Sequence, residues 1–146
     1  MNWLFKEFEQ LSLGELYDIM ALRQEVFVVE QDCPYLDADG KDQESFHALA
    51  YENEILVAYA RIVKPGICYK EWAIGRVIVK MTKRKQKLGY ELMHKCHEHI
   101  YTNHGYQSIR LSAQSHLEKF YRNSGYKPTG KEYLEDGIPH MEMLRQ

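Results

Sequence analysis

"KMTKRKQKLGYELM", residues 80–93, gathers Lys80, Lys83, Arg84, Lys85 and Lys87 and then turns into an apolar-striped helix pattern. The whole chain nevertheless has a formal charge of -2 and a pI near 6.4. The positive charge is therefore local, and three explanations compete: a solvated turn, a nucleic-acid or membrane patch, or a seat for a small polyanion. The first N–H groups of a helix lack internal partners, and the macrodipole adds partial positive charge there. A helix start flanked by Lys and Arg is thus suited to phosphate oxygens.

Working outward, 146 residues with 45% hydrophobic and 27% charged composition fit one soluble globular domain, 1–146. No apolar run approaches the ~20 residues of a membrane span. The opening "MNWLFKEFEQ" lacks the basic-then-apolar layout of a signal peptide. Cys33, Cys68 and Cys96 lie far apart with no C-x-x-C pair, which argues against a disulfide framework and a zinc site. A cytoplasmic protein without a metal is expected, and the acidic balance argues against general nucleic-acid binding.

Periodicity supplies the elements. "WLFKEF" (3–8) reads as a first strand, and "LSLGELYDIMALRQEVFVVEQ" as a helix opened by a Ser12–Glu15 capping box. Its apolar face carries Leu16, Ile19, Met20, Val26 and Phe27. "PYLDADGKDQES" (34–45) is an acidic turn-rich loop. "FHALAYENEILVAYARIV" reads as a hairpin around "ENE", and "WAIGRVIVK" as a central strand. After the basic turn, Leu88, Leu92, Met93, Cys96 and Ile100 mark one helix face. "YQSIRLSA" (106–113) is a strand, and "SHLEKFYRNSG" a short helix with a Ser115–Glu118 capping box and Gly125 as its stop. "YKPTGKEYLEDGIPHMEML" closes the chain as a strand pair. The order β-α-β-β-β-α-β-α-β-β predicts an α/β (α+β) fold, a mixed, mostly antiparallel sheet flanked by helices.

There is no G-x-G-x-x-G after the first strand and no G-x-x-x-x-G-K-[ST], so neither a Rossmann nor a Walker phosphate loop fits. Strand, "RKQKLG" and helix, followed some thirty residues on by "AQSHLEKFYRNSGY", resemble the GCN5-related N-acetyltransferases. Arg84 and Gly89 match the ends of that family's phosphate motif. Phe120, Tyr121, Gly125 and Tyr126 match its second signature. "LRQEVFVVEQ", "VAYARIV", "IGRVIV", "AQSHLEKFY" and "EDGIPHMEM" together look like the ElaA-type subgroup and span nearly the whole chain. The departure is Lys87, where the family commonly has Gly. A right-handed helical loop there would accommodate Lys and add its ammonium to the anion seat.

The resemblance implies acetyl-CoA as cosubstrate and a small-molecule or peptide amine as acceptor, with direct attack of the amine on the thioester. The cofactor's pyrophosphate is expected on the backbone N–H groups of Lys85, Gln86, Lys87, Leu88, Gly89 and Tyr90, beside Arg84. Its pantetheine arm would run along Val77, Ile78 and Val79, with Gln114 as an amide contact and a backbone N–H near Val79 polarising the carbonyl. Tyr121 matches the general acid for the leaving thiolate; periodicity alone favours Phe120 and Tyr121 as core aromatics, and the resemblance reverses that. Candidate bases are Glu71, His47, His116 and His140, or a water relay. Arg61 and Arg76 are expected to pair with Glu25 or Glu30 on the first helix; the sharper alternative has them recognise a substrate carboxylate. The acidic loop (Asp37, Asp39, Asp42, Glu44) either attracts a cationic amine or is simply solvated. Family members often pair, which makes a homodimer the assembly to test for. The alternative function is a non-catalytic CoA-binding sensor or interaction module; nucleic-acid binding through residues 80–87 ranks third.

Overall fold

The computed structural model describes residues 1–146. Seven strands form one sheet: β1 (Asn2–Glu7), β2 (Ser45–Glu52), β3 (Ile55–Val63), β4 (Trp72–Val79), β5 (Ile109–Gln114), β6 (Lys127–Glu135) and β7 (Ile138–Arg145). Three α-helices accompany it: α1 (Leu13–Arg23), α2 (Leu88–His104) and α3 (Glu118–Asn123). The chain order is the expected one, and across the sheet the strands run β1-β2-β3-β4-β5-β7-β6. Every neighbouring pair is antiparallel except β4 and β5.

Strand periodicity sends successive side chains to opposite faces, and each face takes a helix. Leu92, Met93, Cys96 and Ile100 of α2 pack with Ala48, Ile62, Ile74 and Leu111. Ile19 and Leu22 of α1 pack on the other face with Leu49, Tyr59 and Ile78. Each of these large apolar side chains contributes about 1.5–3 kcal/mol by leaving water. The Ser12–Glu15 capping box forms: the Glu15 N–H donates to Ser12 Oγ at 3.0 Å, and the Ser12 N–H to Glu15 Oε1 at 2.9 Å. Beyond Arg23 the helix does not continue as an α-helix through the expected length; it widens into a π-helical segment, Gln24–Glu30.

Two features open the sheet at its centre. β4 and β5 pair only at Trp72–Ile109 and Ala73–Arg110, so the rest of β4 has no neighbour on that side. A register shift against β3 coincides with Arg76 at φ 50°, a β-bulge that twists β4 as it leaves β5. The hairpins at the two sides are closed by two-residue turns, Asn53–Glu54 (φ 51° and 66°) and Asp136–Gly137 (φ 51° and 78°). Positive φ at both central positions matches the strand twist, and Asn, Asp and Gly adopt it most easily.

The expected Ser115–Glu118 capping box does not form. Ser115 instead opens a 3-10 turn, Ser115–Leu117, and α3 begins at Glu118 with no side-chain cap. The tighter turn moves the Ser115 hydroxyl out of reach of the helix's first N–H groups.

Candidate active site

Where β4 and β5 part, a cleft of about 1090 Å³ opens, bordered by β4, the basic turn, the start of α2, α3 and the β6–β7 turn. Its best-defined wall is backbone. The Lys80 N–H donates to Val57 O, so by the alternation of an antiparallel ladder Ile78 also faces β3 while Val79 faces the cleft. Val77 and Val79 side chains pack toward the α2 side, whereas Ile78 is buried against α1. The three residues are therefore not equivalent: the polar backbone of Ile78 is committed to the sheet.

Next along the chain, no protein acceptor meets the N–H groups of Lys85, Gln86 or Lys87. Those of Leu88, Gly89 and Tyr90 belong to the first turn of α2 and have no intrahelical acceptor. Six consecutive N–H groups are thus unsatisfied by the protein at one end of the cleft. The side chains around them divide in two. Lys80 pairs with Glu25, Lys83 with Glu52, and Arg84 with Glu30. Arg84 also donates through Nε to Val79 O at 2.9 Å, clipping the turn to the end of β4. Lys85 and Lys87 are exposed, have no carboxylate partner and border the cleft; Gln86 does not border it. The positive charge available to an anion thus sits beside the free N–H groups.

Lys87 corrects an expectation. It is not in right-handed helical geometry but caps α2 at φ 61°, ψ 14°, the left-handed region that Gly enters without strain. A side chain there costs about 1–2 kcal/mol, and Lys85 at φ 68° shares that geometry. Left-handed residues within a turn are the geometry in which successive N–H groups form an anion-binding concavity. Gly89 has a different reason for being Gly: a Cβ there would sit 3.0 Å from Phe120 Cε1, so α2 and α3 meet too closely for a side chain.

Tyr121 borders the cleft from α3 and is 6% exposed. Its ring packs edge-on against Phe120 and Tyr126. Burial pushes the phenol pKa upward, so the proton stays on at neutral pH. It is both a core aromatic and a cleft residue. Across the cleft, Gln114 on β5 is paired with His140 on β7, and Gln114 Nε2 lies 3.4 Å from Gln31 Oε1. His140 Nδ1 is 2.7 Å from Ile138 O, which places a proton on Nδ1, and Nε2 is held 3.2 Å from Glu135 Oε2. His116 is exposed at the rim.

Two candidate bases fall away. His47 is 0% exposed, with Nδ1 2.6 Å from the Tyr59 hydroxyl and Nε2 2.9 Å from Asp42 O. Both ring nitrogens are occupied, and burial lowers the pKa. Glu71 precedes β4 and is held by Arg110 through two hydrogen bonds of 3.0 and 2.8 Å, which lower its pKa. Neither residue borders the cleft.

Arg61 and Arg76 do not reach Glu25 or Glu30. Arg61 forms a bidentate pair with Asp39 at 2.8 Å and also meets Asp42 at 3.0 Å. Arg76 lies 2.8 Å from Asp37 Oδ1 and donates to Asp37 O. Arg23, fully buried, joins Asp37 at 2.6 Å and Asp42 at 2.7 Å. The acidic loop is therefore a strap fastened by three guanidinium groups. Composition flagged its charge, but nothing in the local pattern singled out Arg23. Tyr35, Tyr69, Glu135 and Asp136, which also border the cleft, were missed as well; the last two appeared only within "EDGIPHMEM" as part of the family likeness.

An opened β4–β5 pair leading to an unsatisfied helix start, with a buried tyrosine opposite, defines a CoA-type acyltransferase fold. The chain belongs to the GNAT acetyltransferase family: the family's acetyltransferase (GNAT) domain matches residues 18–146. It falls in the ElaA-like subgroup, being 42% identical to protein ElaA of Escherichia coli over 148 residues, covering 100% of this chain and 97% of that protein. The crystal structure of E. coli ElaA superposes with a TM-score of 0.92 at 41% identity, covering 99% of each chain. An acyl-CoA N-acyltransferase from Pseudomonas aeruginosa superposes at 0.93 with 37% identity, covering 100% of both chains. An aminoglycoside 6'-N-acetyltransferase solved with coenzyme A shares the fold at TM-score 0.72 and 17% identity, covering 97% of this chain and 96% of that one.

Proposed function

We propose that this chain is an acetyl-CoA-dependent N-acetyltransferase that moves an acetyl group directly from the thioester to a primary amine. The observation that carries the reading is the run of six N–H groups without protein acceptors, Lys85–Tyr90, of which all but that of Gln86 belong to residues bordering the cleft that Tyr121 also borders. A diphosphate satisfies such a cradle, and Lys85 and Lys87 add attraction without displacing an existing ion pair. The pantetheine arm then lies beside the unpaired edge of β4, bonded by Val77 and Val79 and by Gln114. This chain's residues fit the cosubstrate in charge and in hydrogen-bonding sense.

In the reaction the amine nitrogen forms a bond to the thioester carbonyl carbon, and the Val79 N–H, facing the cleft, stabilises the developing oxyanion. The C–S bond breaks as the carbonyl re-forms, and the thiolate takes the proton of Tyr121. The nitrogen releases its proton to water, or to His140 Nε2 once that nitrogen has turned from Glu135, and solvent returns one to the phenolate. Burial raises the phenol's pKa, which keeps the proton on Tyr121 until the thiolate leaves. Coupled thiol release with an amine panel tests this role. Tyr121→Phe is expected to lower kcat by about 10²–10³-fold with CoA affinity unchanged. Equal turnover of the two proteins removes Tyr121 from the chemistry.

A further inference from the structure

On the acyl-transfer reading above, the far end of the cleft names its acceptor: we infer that it is a primary amine carried on an apolar body without a carboxylate. This end is enclosed by residues 33–41, by the loop before β4, and by the β6–β7 turn. Cys33 Sγ meets Asp136 O at 3.5 Å and closes the ring.

Charge decides against an amino acid. Both guanidinium groups bordering this end, Arg61 and Arg76, are already paired with Asp37, Asp39 and Asp42. A substrate carboxylate would have to displace one of these aspartates, of which Asp37 and Asp42 are buried, and leave it uncompensated. Most of the charged groups still free at this end have the opposite sign. Asp136 has no cationic partner, and Glu135 meets only His140. Against these two carboxylates stands one unpaired ammonium, Lys41. An incoming ammonium group is favoured and a carboxylate opposed.

The walls supply the apolar part. Tyr35, Leu36, Ile67 and Tyr69 border this end. Leu36 is 84% exposed, and exposure of one leucine alone means little. Here, however, its neighbours are anchored: the Tyr35 hydroxyl donates to Asp37 at 3.0 Å, and Arg23 and Arg76 hold Asp37. The leucine is fixed at the rim, so an apolar acceptor gains contact there without having to order a loop.

The test measures kcat/KM with acetyl-CoA for 2-phenylethylamine, phenylalaninamide, phenylalanine and ethanolamine, alongside calorimetry with CoA. The first two are expected to exceed phenylalanine, and 2-phenylethylamine to exceed ethanolamine, each by about tenfold or more. Glu135→Gln combined with Asp136→Asn should narrow the phenylalaninamide-to-phenylalanine ratio several-fold, a ratio that is insensitive to any general loss of rate. Phenylalanine or ethanolamine reacting as well as its counterpart overturns the inference. So does a bound CoA with no reaction from any of the four amines. Failure to bind CoA is a different result: it removes the acyl-transfer reading itself, and this inference with it.

Discussion

The basic turn at 80–87 and the acidic strap at 37–42 are both short runs of like charge, yet the fold uses them in opposite ways. In the strap, Asp37, Asp39 and Asp42 are matched by Arg23, Arg61 and Arg76, and the charge is consumed within the structure. In the turn, glutamates neutralise Lys80, Lys83 and Arg84 at the periphery, while Lys85, Lys87 and a series of backbone N–H groups stay uncommitted. A charge run therefore says little about function until its partners are known. Unsatisfied backbone beside unpaired charge marks a ligand seat; fully paired charge marks scaffolding.

The sharpest contrast comes from removing one guanidinium from each region. Arg23→Ala leaves Asp37 and Asp42 buried without their shared partner and should cost about 3–5 kcal/mol in urea unfolding. Arg84→Ala breaks a partly exposed pair and should cost about 1 kcal/mol or less. Similar losses from the two would erase the distinction.

Acid should act on the strap in the same sense. Burial alone would raise the pKa of Asp39 and Asp42, but hydrogen bonds and charge from Arg61 and Arg23 outweigh it and hold both below the ordinary carboxylate range. A depressed folded-state pKa means that the unfolded chain binds more protons. The stabilisation is therefore complete above the unfolded value of about 4 and is lost as pH falls below it. His97, buried with Nε2 2.9 Å from the Tyr126 hydroxyl, is lowered by burial to about 4. It adds a loss between about pH 6.5 and 4. Unfolding free energies against pH should fall in both windows, and His97→Gln should reduce the slope of the upper one, to which His47 and His99, also lowered by burial, contribute the rest. An unchanged upper slope contradicts that assignment.

On the turn's side, Gly89→Ala tests packing. Its Cβ must displace the Phe120 ring, which adjoins Tyr121, and overpacking of this kind costs about 1–3 kcal/mol. Turnover should fall with it. The smallest effect belongs to Lys87→Gly, which relieves left-handed strain and should stabilise the fold by about 0.5–1 kcal/mol. No gain would mean that the turn does not hold this conformation.

The elements were legible because periodicity is local. The i, i+4 stripe from Leu88 to Ile100 and the two apolar runs around "ENE" are short-range consequences of burying one helix face and both faces of the central strands. The site was legible only where a motif lies within a few residues, as at Arg84–Gly89 and Phe120–Tyr121. Arg61 and Arg76 were assigned to the wrong acids because their partners lie 19–39 residues away and are chosen by the tertiary fold. His47 and Glu71 had the right chemistry and reasonable strand positions, but hydrogen bonds to Tyr59, Asp42 and Arg110 remove them from the cleft. Lys87 was misjudged because a residue's type does not reveal its φ.

The central claim is that backbone N–H groups from Lys85 to Tyr90, helped by two free lysines, hold a diphosphate. Calorimetry comparing CoA with pantetheine, which lacks the diphosphate and the adenosine 3'-phosphate beyond it, tests it, with adenosine 3'-phosphate alone as the control for the nucleoside end. The account predicts that CoA binds at least about 100-fold more tightly, a difference of roughly 2.7 kcal/mol. Equal affinities would contradict it.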